Sequence, residues 1–361
     1  MDTEEIEKQH VVDALSSTGT ILRVKDFVWC AEEWPDLTHD AYAEEIPVIS
    51  LAAAVRYDDG EYDRRCREMV EASIEWGFFK LVDHGVSSEI MENFKDRCEE
   101  FFDLCTEEKM KGARSGGLPL GYSASNIDYG LNLPWAEIVQ LLHSPQQVVH
   151  FTKNVYGDQN HQHFSDAIIE YMEAVDRLGM RILEMLARGL GLCDDFFTKN
   201  FKDKEQTMLR VNRYPPCPLP EKCLGLGSHS DPQTLTILLQ DHVGGLQVQK
   251  NGEQWVGIRP VSGSFVVNIG DTLEAWTNGR LKSVVHRAVV NREKTRLSAA
   301  YFMSPARDAV IECPSHLVAG GGEGHGRKYA AFTWEDFRKE LLKQRRVTGK
   351  TALKRYLLSP H

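Results

Sequence analysis

The sequence contains no apolar run approaching the roughly eighteen residues that a membrane-spanning helix needs. Its opening, Met1–Asp2–Thr3–Glu4–Glu5–Ile6–Glu7, is acidic and lacks the basic and apolar stretches of a secretory signal, so a cytoplasmic chain is expected. Excess positive charge is missing too: 53 Asp and Glu stand against 42 Lys and Arg, a formal net charge of −11. Nucleic acid and anionic membrane are therefore poor partners, since both demand a basic surface. The basic cluster Lys343–Gln344–Arg345–Arg346 reads as a solvated helix end. Eight cysteines are scattered without a Cys-x-x-Cys pair, which argues against a zinc ribbon or a disulfide frame and for reduced thiols filling the core. The helical His-Glu-x-x-His of zinc hydrolases is absent. So is the phosphate-cradling Gly-x-x-x-x-Gly-Lys-Ser/Thr, and the glycines at 320, 321, 322, 324 and 326 read as a loop.

What is present is a chain of 361 residues, 42% of them apolar, long enough for two average domains or for one large barrel with helical additions. Residues 1–44 read as an irregular arm packed on the surface, with Trp29 and Trp34 among acidic residues. Residues 45–205 read as a mainly helical region. Ile46 to Leu51 forms a short strand, 62–75 a helix and Trp76 to Val82 a buried strand. Ser87 or Ser88 can cap a helix whose Ile90, Phe94, Cys98, Phe101 and Cys105 share one face. Residues 112–130 read as loop. Ser165 opens a longer helix, with Ile168, Met172, Val175, Ile182 and Leu186 inward, that Gly189 and Gly191 stop. From 206 to 310 the texture changes to short β segments, near 207–213, 234–240, 245–249, 255–259, 264–269, 283–291 and 296–303. Such spacing suggests a sandwich or a jelly-roll barrel. A loop and a last helix capped by Thr333 occupy 311–361.

Within the β region, Gly227–Ser228–His229–Ser230–Asp231–Pro232 sets a His and an Asp two apart, on one side of an extended chain. Fifty-five residues after Asp231 stands His286, in the strand candidate Ser283 to Val290. The even face of that strand, Val284, His286, Ala288 and Val290, points the imidazole into an apolar interior. Taken alone, His-x-Asp is more often a pair of ordinary core residues. Two His and a carboxylate on one side of an ion, however, suit iron(II) and leave positions open for an oxoacid and dioxygen. Ten residues past His286, Arg296, Ser298, Ala300 and Phe302 share one strand face. A guanidinium beside a hydroxyl receives a carboxylate well. Upstream, Asn212–Arg213–Tyr214–Pro215–Pro216 offers a phenol to the same carboxylate.

Together these residues resemble the plant soluble 2-oxoglutarate/iron(II) dioxygenases, whose pattern is Asn-x-Tyr-Pro-Pro-Cys, His-x-Asp, about 55 residues, His, then Arg-x-Ser. Asn212, Tyr214, Pro215, Pro216, Cys217, His229, Asp231, His286, Arg296 and Ser298 match it throughout. At roughly one in twenty per position by composition, so long an ordered match is not accidental. The likeness extends over about 45–345, taking in Ile46 to Leu51, Trp76 to Phe79 and His84–Gly85. It implies an α+β fold with a double-stranded β-helix (jelly-roll) core and flanking helices. It also implies a metal site of His229, Asp231 and His286, and a co-substrate site of Asn212, Tyr214, Arg296 and Ser298. The cofactors implied are Fe(II), 2-oxoglutarate, dioxygen and, as a stimulant, ascorbate. A monomer acting on a small molecule is expected.

Leu133–Pro134–Trp135, His229 to Leu238 and Asn268–Ile269–Gly270–Asp271–Thr272 resemble gibberellin 20-oxidases in particular. Those enzymes continue from the Trp with Lys-Glu-Thr, whereas Ala136–Glu137–Ile138 follows here, so a basic partner for a substrate acid is lost at 136. The segment from Phe332 to Tyr356 looks more like gibberellin 2-oxidases. A gibberellin or its precursor is the substrate expected, with Tyr122, Tyr129, Trp135 and Phe302 as pocket candidates. A flavonoid, auxin or jasmonate is the alternative. A catalytically inactive small-molecule binder is the reading from another class, and the full triad with Arg-x-Ser stands against it.

Overall fold

Short β segments with apolar residues on both faces must be covered on both sides, and the architecture follows from that need. The computed structural model describes residues 24–52, 60–114, 120–124, 133–319, 326–343 and 352–358. The strands are β1 (Val48–Ser50), β2 (Phe78–Val82), β3 (Gly121–Ser123), β4 (Glu137–Leu142), β5 (Met208–Tyr214), β6 (Leu224–His229), β7 (Leu235–Gln240), β8 (Leu246–Lys250), β9 (Gln254–Gly257), β10 (Phe265–Ile269), β11 (His286–Val289) and β12 (Arg296–Met303). A large sheet of eight runs β1-β2-β10-β7-β12-β5-β4-β3, and a small sheet of four runs β6-β11-β8-β9. The α+β jelly-roll expectation is met, with helices laid against the large sheet.

Strand parity explains the layering. On one face of the large sheet, Leu209 and Val211 of β5, Ile237 of β7, Val267 of β10 and Tyr301 of β12 join the helices in the largest apolar cluster. Helix Gln162–Gly189 supplies most of its other side, and Tyr171 stacks on Phe94 of helix Ser88–Asp103 with ring centroids 3.8 Å apart. A buried charge pins that long helix to the sheet: Asp176 accepts from the Tyr301 hydroxyl at 2.9 Å and pairs with Lys204. The opposite face of the large sheet meets the small sheet. There Phe78, Leu238 and Val266 pack on Leu246 and Val248, while Ile138 and Tyr214 pack on Ala288 and Val290. The cleft between the sheets is therefore apolar at its walls and reserved for the even-numbered residues of β5, β7 and β12.

Several local signals operate as expected. The Ser87 hydroxyl accepts from the Glu89 N–H, and Thr333 Oγ1 accepts from the Asp336 N–H. Other elements depart from expectation. Helix Pro145–Tyr156 was not foreseen, although Ser144 caps it, Pro145 opens it and Gly157 follows it. The long helix starts at Gln162, because the Ser165 hydroxyl bonds back to the Gln162 carbonyl at 3.1 Å instead of capping. Within the expected 112–130 loop, β3 pairs with β4. Residues 320–325 of the Gly-rich segment and Gln344–Arg345–Arg346 lie outside the described residues. Among the described residues, no helix is long and apolar enough to cross a membrane.

Residues 24–45 form a belt across the outer face of the small sheet. Trp29 packs against Gly227 of β6, where a Cβ would come within 2.2 Å of the indole, so only glycine admits the ring. The indole N–H donates to the Leu133 carbonyl at 3.0 Å. Asp36 pairs with Arg287 of β11 at 2.6 Å, Gln247 of β8 donates to the Leu37 carbonyl at 3.1 Å, and Glu45 pairs with Arg259 at 2.7 Å. Trp29→Ala removes a buried ring and an occupied donor, and it is expected to cost about 3 kcal/mol or more. Urea denaturation should report that loss, and limited proteolysis should show the belt cleaved sooner. Unchanged stability would mean that the belt adds nothing to the fold.

Candidate metal centre

Pairing of β6 with β11 sets His286 directly opposite His229, and Asp231 lies two residues beyond His229, just past the end of β6. The donor atoms of His229, Asp231 and His286 all lie within 4.8 Å of one another. His229 Nε2 is 3.6 Å and His286 Nε2 3.7 Å from the same carboxylate oxygen, Asp231 Oδ1. That spacing is too long for hydrogen bonding and suits three ligands around one ion.

Each ligand is oriented by its other polar atom. His229 Nδ1 faces the Gly227 carbonyl at 2.8 Å and His286 Nδ1 faces that of Val284 at 3.2 Å. A carbonyl only accepts, so Nδ1 carries the proton in both rings and each Nε2 presents its lone pair. Asp231 Oδ2 accepts from the Thr236 hydroxyl at 2.6 Å and from the Asn268 amide at 2.7 Å, which leaves Oδ1 for a cation. Desolvation and then the neighbouring His286 push the His229 imidazole down to about 4, against the pull of Asp231, so it is neutral and ready to ligate near neutral pH. Burial alone would raise the Asp231 carboxyl. The two imidazoles and the Thr236 and Asn268 hydrogen bonds outweigh it and hold the group below its ordinary range.

At the far end of the same cleft, Arg296 of β12 pairs with Tyr214 of β5, and Ser298 pairs with Asn212. These four residues therefore meet on two adjacent strands. The Arg296 guanidinium is buried, 5.0 Å from the centre of the Tyr214 ring. Its Nη2 donates to the neutral Gln240 side chain at 3.1 Å, while its Nε is buried with no hydrogen-bond partner. A buried cation left short of partners is costly, and a carboxylate entering the cleft would satisfy it. An iron(II) ion and a dicarboxylic oxoacid thus both fit the residues present.

The substrate candidates are placed unequally. Phe302 is on the cleft face of β12, opposite the Thr236 that holds Asp231. Tyr122 is a correction: it pairs with Val139 on the other face of the sheet, packs on Phe101, and donates to Glu137 at 2.6 Å. Strand parity turns it away from the cleft. Trp135 is in the apolar cluster between the sheets, edge-on to Phe27 at 4.9 Å, with its N–H donated to the Pro215 carbonyl at 3.0 Å. It is a wall of the barrel, with its polar atom already engaged. Ala136 is buried in that cluster as well. Tyr129 lies outside the described residues.

Three contributors were missed. Thr236 and Asn268 were quoted only within motifs, although each shares a strand face with the cleft. Arg210 precedes Asn212 by two on β5, so the same parity that selects Asn212 and Tyr214 selects it too. Its Nε donates to the Asn212 side chain at 2.9 Å, and its charge reaches His229, adding to the depression of that imidazole. Among the described residues no carboxylate forms an ion pair with it.

Comparison with known proteins agrees with this geometry. A family model described as the 2OG-Fe(II) oxygenase superfamily matches residues 205–305. A second, described as the non-haem dioxygenase in morphine synthesis N-terminal region, matches 46–161. Gibberellin 20 oxidase 3 of Arabidopsis thaliana is 38% identical over 320 residues, covering 87% of this chain and 83% of that protein. Flavone synthase of Petroselinum crispum is 37% identical over 288 residues, covering 79% and 78%. Among solved structures, JOX2 in complex with 2OG, Fe and JA is similar at a TM-score of 0.77 and 33% identity, covering 92% of this chain and 93% of that one. The rice dioxygenase for auxin oxidation is similar at 0.71 and 27%, covering 87% and 100%.

Removing one imidazole leaves a two-ligand set. His229→Ala and His286→Ala are each expected to abolish turnover and lower Fe(II) affinity at least about tenfold, while thermal unfolding of the metal-free protein stays close to wild type. Calorimetric titration with Fe(II) under anaerobic conditions checks this. Near-normal affinity in either variant would place the metal elsewhere.

Proposed function

The chain belongs to the 2-oxoglutarate/iron(II) oxygenase superfamily, and on that premise we propose that it oxidises a small, mostly apolar metabolite bearing a carboxylate, a gibberellin or gibberellin precursor fitting best. Enzyme class and cofactors are those of the superfamily: an oxidoreductase that uses Fe(II) and 2-oxoglutarate. When bound, the iron couples dioxygen to decarboxylation of 2-oxoglutarate, giving succinate, carbon dioxide and an oxidised substrate.

We assign the metal to His229, Asp231 and His286. We assign Arg296, with Ser298 and Tyr214, to the distal carboxylate of the co-substrate, and Asn212 to its metal-bound end, a reading that the unpartnered Nε of Arg296 and the pairing of β12 with β5 support. Phe302, paired with the Thr236 that holds Asp231, is assigned to the substrate pocket. Apolar walls keep water from the reacting atoms.

The single observation that carries the substrate class is Arg210, a cation on the cleft face beside Asn212 with no acidic partner among the described residues. A substrate carboxylate on Arg210 supplies the partner that position 136 does not. A rigid tetracyclic acid offers the cleft a large apolar area and a single charge to match. Relatives that include gibberellin 20 oxidases at 37–38% identity support this reading. Another small acid, a jasmonate or an auxin, is the second reading, favoured by the same arginine and by the solved structures named above. A flavonoid draws on flavone synthase as a relative but brings no carboxylate to Arg210.

Arg296→Ala should weaken 2-oxoglutarate by roughly tenfold to over a hundredfold, the cost of about 1.5–3 kcal/mol or more for a lost charged hydrogen bond. Succinate release measured against 2-oxoglutarate concentration checks this, and an unaltered curve would remove Arg296 from the site. For substrate, incubation with nineteen- and twenty-carbon gibberellins, jasmonates, auxins and flavonoids, with mass detection, decides among the readings. Product from a gibberellin is expected, and Arg210→Ala should raise its KM at least about tenfold while shifting the 2-oxoglutarate requirement far less than Arg296→Ala does. Turnover of a neutral flavonoid alone would overturn the acid-substrate reading and leave the iron chemistry standing.

A further inference from the structure

Sheet pairing sets His286 opposite His229, but β6 ends there and no ladder pair holds the turn that carries Asp231. The β6–β11 register is regular at His286 and His229 but shifts between His286 and Ala288 and again before Val289. Something else must set the separation of the His229–Asp231 turn from the strand that carries His286. The short helix Asp271–Trp276 touches both and supplies none of the three assigned ligands.

Its first residue bridges the two segments. One oxygen of the buried Asp271 carboxylate accepts from the Ser283 hydroxyl at 2.6 Å, three residues before His286. The other accepts from Ser230 at 3.3 Å, the residue between the two ligands His229 and Asp231. The backbone N–H of Asp271 donates to the Asp231 carbonyl at 2.8 Å, and the Thr272 hydroxyl donates to the Pro232 carbonyl at 2.8 Å. Gly270 permits this approach: a Cβ there would lie 1.9 Å from the Gln233 carbonyl oxygen. One turn on, Glu274 accepts from the Ser283 N–H at 2.8 Å, so the Ser283 end is held twice.

We propose that Asp271 is a positioning residue for the metal: by clasping Ser230 and Ser283 it sets the distance between the paired ligands of one segment and His286 of the other. This rests on the metal assignment above and goes beyond it, since Asp271 is not one of the three assigned ligands. A carboxylate suits the task because it accepts from both hydroxyls at once, with no proton of its own to misplace. Rotation of either segment by even a few tenths of an ångström would move an Nε2 lone pair off the ion, which explains why outer partners of metal ligands matter to affinity.

The test is Co(II) titration of the full chain, followed by the visible absorption of the bound ion, which reports ligand geometry independently of turnover. Wild type, Asp271→Ala, Asp271→Asn and Ser283→Ala are compared, with thermal unfolding of each metal-free protein alongside. Asp271→Ala is expected to weaken Co(II) about tenfold and to alter its spectrum, with Asp271→Asn and Ser283→Ala in between. If Asp271→Ala does not fold, Ser283→Ala carries the test, because it removes one arm of the clasp and leaves the acid in place. Wild-type affinity and spectrum in Ser283→Ala and the soluble Asp271 variants would overturn the inference, as would a lowered unfolding temperature with unaltered Co(II) binding. Failure of wild type itself to bind Co(II) would overturn the metal assignment and this inference with it.

Discussion

Asp231 divides its carboxylate between two obligations: Oδ2 is held by Thr236 and Asn268 of the large sheet, and Oδ1 is left facing two imidazoles of the small sheet. Neither sheet could build the centre alone. The small sheet supplies both histidines and the turn that carries the aspartate, while the large sheet decides which oxygen of that aspartate is free. Leaving Oδ2 buried without its two donors would cost about 1–3 kcal/mol for each lost partner. The hydrogen bonds that aim the ligand are thus also part of what holds the sheets in register.

The same division runs down the cleft. β12 carries Arg296 near one end of its inner face and Phe302 near the other, and β5 runs beside it with Tyr214, Asn212 and Arg210. Two arginines therefore lie on the cleft face of adjacent strands, one buried with an unpartnered nitrogen and one partly exposed. Among the described residues neither forms an ion pair with a carboxylate, and the unpartnered Nε of the buried Arg296 makes its end of the cleft favour an anion. An apolar wall raises the worth of the buried Arg296 charge, because little water reaches it.

Much of this was legible in the chain because strands have a period of two. Parity correctly placed His286, Arg296, Ser298 and Phe302 on the cleft face, and it would have found Arg210 had the face of Asn212 been followed two residues back. It also accounts for the failure at Tyr122, for which no strand was read and therefore no face assigned. Trp135 and Ala136 were judged by likeness to a motif, and no local pattern says that this segment plugs the space between two sheets. The clasp by Asp271 was out of reach for a different reason. It depends on hydrogen bonds to residues 230 and 283, far apart in sequence, and a buried acid looks the same as a helix-opening one until both partners are seen. Helix Pro145–Tyr156, by contrast, carried its cap, its proline and its stopping glycine in plain order.

The belt of residues 24–45 bears on where this protein can be divided. The family model for the amino-terminal region begins at residue 46, which invites the view that the folding unit begins there. Yet Trp29 covers Gly227, whose carbonyl fixes the tautomer of His229, and Asp36 neutralises Arg287, the neighbour of His286. A chain cut at residue 46 would leave Arg287 without its ion-pair partner, and its guanidinium, stacked 4.0 Å from the Trp255 ring, would face water across the bare outer surface of the small sheet. The segment matched by that family model is thus shorter than the set of residues packed around the two histidines, and the excess is what backs both of them.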